Sequence, residues 1–183
     1  MQDAITQILD ESIRQELLVS DFYRLFETTF SDDRDFWYQL SKEELNHSTI
    51  LHAEKNEFYE SGLLPEELVP KDLQALKKQN LLLSGFFKKL KRFPPSVEQS
   101  FSIAICLEEA ISETAFRLCL KAKPETRALK IFQLMVDEGR AHVERILQHA
   151  AELKISLEQA SSLETLVDSL RHREVAKDGD RFR

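Results

Sequence analysis

The chain is predicted to be all-α, with four long helices in two antiparallel pairs joined by one long crossover. Three observations predict it. Glycine and proline are scarce, 4 and 5 in 183 residues, beside 42% hydrophobic and 31% charged residues, a balance that suits amphipathic helices with a solvated outer surface. Apolar residues recur at steps of three, four and seven, the spacing of one helix face. Breakers gather at Ser31-Asp32-Asp33, at Gly62 and over Pro65, Pro70, Pro94 and Pro95, which leaves long uninterrupted stretches between them.

Each element follows in order. Helix A is expected from about Asp3 to Phe30, closing at Ser31-Asp32-Asp33. Helix B should run from about Asp35 to Ser61, with Gly62 supplying the residue after its last turn. Leu63 to Pro95 reads as the crossover, with room for one or two shorter helices between Pro70 and Arg92. Helix C should span Ser96–Lys121 and helix D Glu125–Leu153, opened by Pro124 as an N1 residue. A short fifth helix, Ser162–Val175, precedes a polar tail, so residues 1–160 form the bundle and 161–183 an appendage. The short A–B and C–D loops make each pair antiparallel. A length of 183 residues suits one domain with a sizeable core.

The polar residues on the inward stripes carry the functional signal. Leu40, Glu44, His47, Leu51 and Phe58 share one face of helix B. A carboxylate and an imidazole one turn apart on an apolar face need partners, because burying either alone costs several kcal/mol. In helix A, Leu9, Glu16, Tyr23 and Phe30 step by seven, and Ser102, Glu109 and Phe116 repeat that layout in helix C. Glu44-x-x-His47 is echoed by Asp137-Glu138-Gly139-Arg140-Ala141-His142. The offsets are 93 between the glutamates and 95 between the histidines, so the chain reads as a duplicated helical hairpin. Facing Glu and Glu-x-x-His residues are the ligand set of carboxylate-bridged metal sites in helical bundles.

On these residues the chain resembles the ferritin-like superfamily, in particular the rubrerythrin-type diiron-carboxylate domain, over roughly residues 3–153. The resemblance implies a ferritin-like four-helix bundle in which Glu16, Glu44 and His47 hold one metal and Glu109 and His142 the other. It also implies iron, one or two ions, with oxidase, peroxidase or iron-handling activity toward dioxygen or peroxide. The family's rubredoxin-like tail is absent from this sequence. Carboxylate and imidazole donors equally suit manganese or zinc. The contrasting reading is a degenerate bundle without metal that serves as an interaction or structural module.

Several residues leave alternatives open. Gly139 stands three before His142, where the pattern wants a glutamate. Glu138 could swing in as ligand, the site could have decayed, or the gap could admit an aromatic ring or a small molecule; the first is preferred. Glu108 competes with Glu109, since it lies on the line Phe101, Ala104, Ile111, Ala115; the internal repeat selects Glu109. Glu113, one turn on, is a further candidate ligand. Tyr23 could hydrogen-bond a ligating carboxylate or be a core tyrosine whose hydroxyl reaches the surface. His149 and Glu54 fall outside the ligand shell, and His52 and His172 read as surface residues.

Gly85 to Phe93 is basic and amphipathic, and is read as a crossover helix laying its aromatics over the bundle in preference to a membrane-docking segment. The net charge of −7 argues against nucleic acid as the partner. Cys106 and Cys119 are isolated and read as reduced core thiols, and the start Met-Gln-Asp-Ala does not resemble a signal peptide. The expectation is a cytoplasmic protein, a homodimer, with metal ions as its partners.

Overall fold

The computed structural model describes residues 2–61, 73–114, 127–157 and 165. It contains α1 (Gln2–Thr29), a 3₁₀ turn (Ser31–Asp33), α2 (Arg34–Ser61), α3 (Leu73–Arg92), α4 (Val97–Thr114) and α5 (Arg127–Glu152). No strand occurs among the described residues, and no helix there is long and apolar enough to cross a membrane. Gly62 at the end of helix B, Pro124 at the start of helix D and, apart from Thr165, the short helix expected at 162–175 lie outside the described residues.

Local chemistry sets the helix ends. Phe30 turns extended (φ −117°, ψ 92°) and breaks α1 from α2. Ser96 and Gln99 cap α4 reciprocally: Ser96 N–H donates to Gln99 Oε1 (3.0 Å) and Gln99 N–H to Ser96 Oγ (3.3 Å), a capping box placed directly after Pro94-Pro95. α5 ends where Lys154 adopts φ 56° and Ile155 N–H donates back to Ala150 O over 2.9 Å, the left-handed closure that satisfies the last carbonyls.

α1 and α2 run antiparallel, tied by Ser20 to Ser41 (Oγ–O 2.9 Å) at one end and by Lys55 to Asp10 at the other. Between α2 and α4 the described residues hold one helix, α3. It buries Leu76, Asn80, Leu83, Phe86 and Leu90 and packs Phe86 and Phe87 on Phe22, with ring centroids 5.7 and 5.2 Å apart. Phe86, Phe87 and Leu90 of the basic stretch therefore pack on the core, while Phe93 stays exposed. Asn80, fully buried, donates to Glu11 O (2.7 Å) and Glu11 Oε2 (2.8 Å), fixing α3 on α1.

The core is aromatic. Val19, Phe22, Tyr23, Phe26, Trp37, Leu40, Phe101 and Ile146 form one contiguous cluster, with Trp37 wedged between Phe26 (5.1 Å), Phe36 (4.9 Å) and Phe101 (4.8 Å). Rings of this size dominate burial energetics. Adjoining this cluster, where Tyr23 meets Glu108, is a layer of buried polar residues contributed by α1, α2, α4 and α5.

Candidate metal centre

That polar layer consists of Glu16 from α1, Glu44 and His47 from α2, Glu108 from α4 and His142 from α5, each no more than 4% exposed. Three carboxylates and two imidazoles in one core run against every rule of burial unless they compensate one another. Their donor atoms fall into two overlapping sets. Glu16, Glu44 and His47 form one and Glu44, Glu108 and His142 the other, the atoms of each set lying within 4.8 Å of one another. Glu44 belongs to both.

Within the first set, His47 Nδ1 lies 3.3 Å from Glu44 Oε2 and 3.7 Å from Glu16 Oε2. Within the second, His142 Nδ1 lies 2.8 Å from Glu44 Oε1 and 3.4 Å from Glu108 Oε1. The two imidazole rings are nearly parallel, 5.6 Å apart at 17°. Both therefore turn Nδ1 inward, and each meets an outer carboxylate with Nε2. His47 Nε2 donates to Glu138 Oε2 over 2.7 Å, and His142 Nε2 lies 3.1 Å from Glu43 Oε2. The arrangement is reciprocal: α5 supplies the outer carboxylate for the histidine of α2, and α2 the one for the histidine of α5. An outer carboxylate on the distal nitrogen fixes the tautomer that leaves the inner nitrogen's lone pair for a metal. Arg145 grips Glu43 through both guanidinium nitrogens, Nη1–Oε1 at 3.0 Å and Nη2 to Oε2. Tyr23, fully buried, donates to Glu108 Oε1 over 2.6 Å.

Several polar atoms of the layer have no hydrogen bond. Glu16 Oε2, Glu44 Oε1 and His142 Nδ1 are buried without one, the 2.8 Å approach of the last two lacking hydrogen-bond alignment. Unmet buried polar atoms within these two donor sets are the observation that bound cations would explain. The donor chemistry fits as well, since oxygen and imidazole donors suit first-row divalent ions.

Without a metal the charges balance through protons. Burial pulls both histidines down, but Glu16 and Glu44 outweigh it and push His47 up to about 11. Glu108 and Glu44 likewise push His142 up to about 10. Burial works against Glu44 as well, yet the two imidazoles hold its carboxyl far below the usual range. Glu16 is raised well above that range by burial, which His47 does not offset. Glu108 is raised by burial and by the Glu44 charge. Burial and then the Glu108 charge raise the Tyr23 phenol. Around the rim, burial raises Glu43 but Arg145 more than reverses it, leaving a lowered carboxyl.

Of the residues expected from the sequence, Glu16, Glu44, His47 and His142 come together. Glu138 also reaches inward, to the distal nitrogen of His47 rather than to the inner side of His142. Glu109 does not join them. It is exposed, and Glu108 takes its place. The reason lies in the first turns of α4, where residues 99–104 are all buried whichever way they face. The burial of Ser102 therefore says nothing about which side is the core, and the repeat drawn from it is one residue out of register. Further along, Cys106, Leu107 and Glu108 stay buried and Glu109 emerges. The side chain of Glu113 lies outside the described residues. His149 sits apart, stacked on Phe36 at 4.1 Å and bonded to Asp33 at 3.0 Å. Sequence spacing points to neither Glu43 nor Arg145: Glu43 beside Glu44 looks like a solvated acid, and only the packing of α2 on α5 reveals its partner.

No protein-family model, curated protein or solved structure matches this chain.

Proposed function

We propose that this protein binds two divalent transition-metal ions, iron foremost, in a ferritin-like four-helix bundle of the rubrerythrin type. Glu16, Glu44 and His47 would hold one, and Glu44, Glu108 and His142 the other, Glu44 being common to both sets. The observation that carries this reading is the pair of buried ligand sets sharing Glu44, with inner nitrogens presented by reciprocal outer carboxylates. Two ions so held can share the electrons needed to reduce dioxygen or peroxide while keeping coordination positions open, so an oxidase, peroxidase or iron-handling role follows. Manganese and zinc suit the same donors. The test is elemental analysis after anaerobic loading with ferrous iron and removal of free metal. Two ions per chain in the wild type, one in Glu16→Gln and one in Glu108→Gln support the reading.

One observation favours a second reading. Two protonated imidazoles already neutralise much of the carboxylate charge, so the layer is also a self-compensated polar core that can specify helix pairing without metal. A folded wild type that retains no ion selects it.

A further inference from the structure

The two outer carboxylates are reciprocal in place but not in how they are held. Glu43 Oε2 serves both His142 Nε2, at 3.1 Å, and Arg145 Nη2, while Oε1 takes Arg145 Nη1 at 3.0 Å. A planar guanidinium fork on both oxygens fixes the plane of a carboxylate as well as its position. Arg145 stands three residues after His142 on α5, so one turn carries both the imidazole and the residue that holds its partner. Glu138 has no such hold. It meets His47 through one oxygen at 2.7 Å, and no cation besides His47 lies within ion-pair reach of it among the described residues. Gly139 follows it, and glycine is the costliest helix residue after proline. Exposure does not separate the two carboxylates, at 36% for Glu43 and 43% for Glu138. The guanidinium does.

We propose that Arg145 is a latch that makes the two metal positions unequal in exchange: an ion at the His142 position is resident, and an ion at the His47 position trades readily with solution. The inference rests on the metal reading above. For an ion to leave, its imidazole must turn off it, and the ring turns only as far as the carboxylate on its distal nitrogen follows. Glu138 follows by swinging on a single bond. Glu43 follows only by breaking from both guanidinium nitrogens. Arg145 is thus a positioning residue that acts on His142 through Glu43. The chain keeps one ion and exchanges the other.

The test is removal of ferrous iron by excess chromophoric chelator under anaerobic conditions, from protein loaded and then freed of unbound metal. In the wild type the ions should leave in two phases of equal amplitude, with rates about tenfold or more apart. Glu16→Gln should abolish the fast phase and Glu108→Gln the slow one, which assigns each phase to its position. In Arg145→Gln the slow phase should quicken by about 10–100-fold, the scale on which lost outer hydrogen bonds weaken metal binding, while the fast phase keeps its rate. Arg145→Lys keeps the charge without the fork and should fall between. The fast phase is the internal control, because a substitution that merely loosened the bundle would quicken both. Two ions leaving the wild type in one phase overturn the proposal without recourse to any variant. A slow phase unmoved by Arg145→Gln, or a fast phase quickened equally, overturns it too. These outcomes arise only with two ions bound, so they are distinct from failure of the metal reading, which shows as a wild type that retains no ion and removes this inference with it.

Discussion

Glu44→Gln is the substitution with the widest consequences. Glu44 is 1% exposed and touches both histidines, His47 at 3.3 Å and His142 at 2.8 Å. At pH 7 both rings are protonated in the metal-free protein, being pushed up to about 11 and about 10. Replacing the carboxylate by an amide of the same size keeps the volume and removes the charge that the two imidazoliums share. Removing one partner of a buried ionic group costs about 3–5 kcal/mol. For a chain of 183 residues, each kcal/mol moves Tm by about 2–4 °C, so the metal-free midpoint should fall by roughly 6–20 °C. Thermal unfolding followed by far-ultraviolet circular dichroism measures this, after metal is removed with chelator. Metal content is the second readout: both ions should be lost, against one in Glu16→Gln. A Glu44→Gln protein that melts with the wild type and still holds two ions would show that Glu44 neither balances the imidazoliums nor ligates metal.

Metal affinity should climb with pH from about 6.5 well past the ordinary histidine range, because a ligand nitrogen must first lose the proton that its raised pKa retains; calorimetry in buffers of different ionisation enthalpy counts the protons released. The same raised values stabilise the metal-free fold fully below about 6.5 and progressively less as pH rises toward 10–11, so its Tm should fall from pH 7 to 10 while the increment conferred by metal grows. Glu138→Ala should weaken the His47 position, and Glu43→Ala the His142 position, by about 10–100-fold in affinity, read by competition with a chromophoric chelator. Asn80→Ala should cost about 1–3 kcal/mol in urea unfolding with metal stoichiometry unchanged, since it orphans Glu11 and loosens α3 without touching the polar layer.

The parts of the fold legible in the sequence are those where periodicity and burial agree. Along α2, Leu40, Glu44, His47 and Leu51 are all buried, as their spacing implies, because a helix covered on one side records that side in every turn. Along α4 the record is blurred: residues 99–104 are covered on all sides, so a heptad counted from Ser102 points to Glu109 and the core uses Glu108. A better guide is the apolar line through Phe101 and Ala104, together with the phenol of Tyr23 that needs a buried acceptor. Gly139 marks where Glu138 acts, but the atom it serves, the distal nitrogen of His47, is set by how α5 packs on α2. Glu43 and Arg145 stand 102 positions apart, and no local pattern pairs them.

Anomalous scattering from crystals grown with ferrous iron or manganese tests most directly whether the polar layer holds two metal ions that share Glu44 as a ligand. Two peaks are expected, one among Glu16, Glu44 and His47 and one among Glu44, Glu108 and His142, each about 2.0–2.2 Å from its carboxylate and imidazole donors. A well-ordered crystal with no peak between these residues, His47 and His142 remaining bonded to the carboxylates alone, would contradict it.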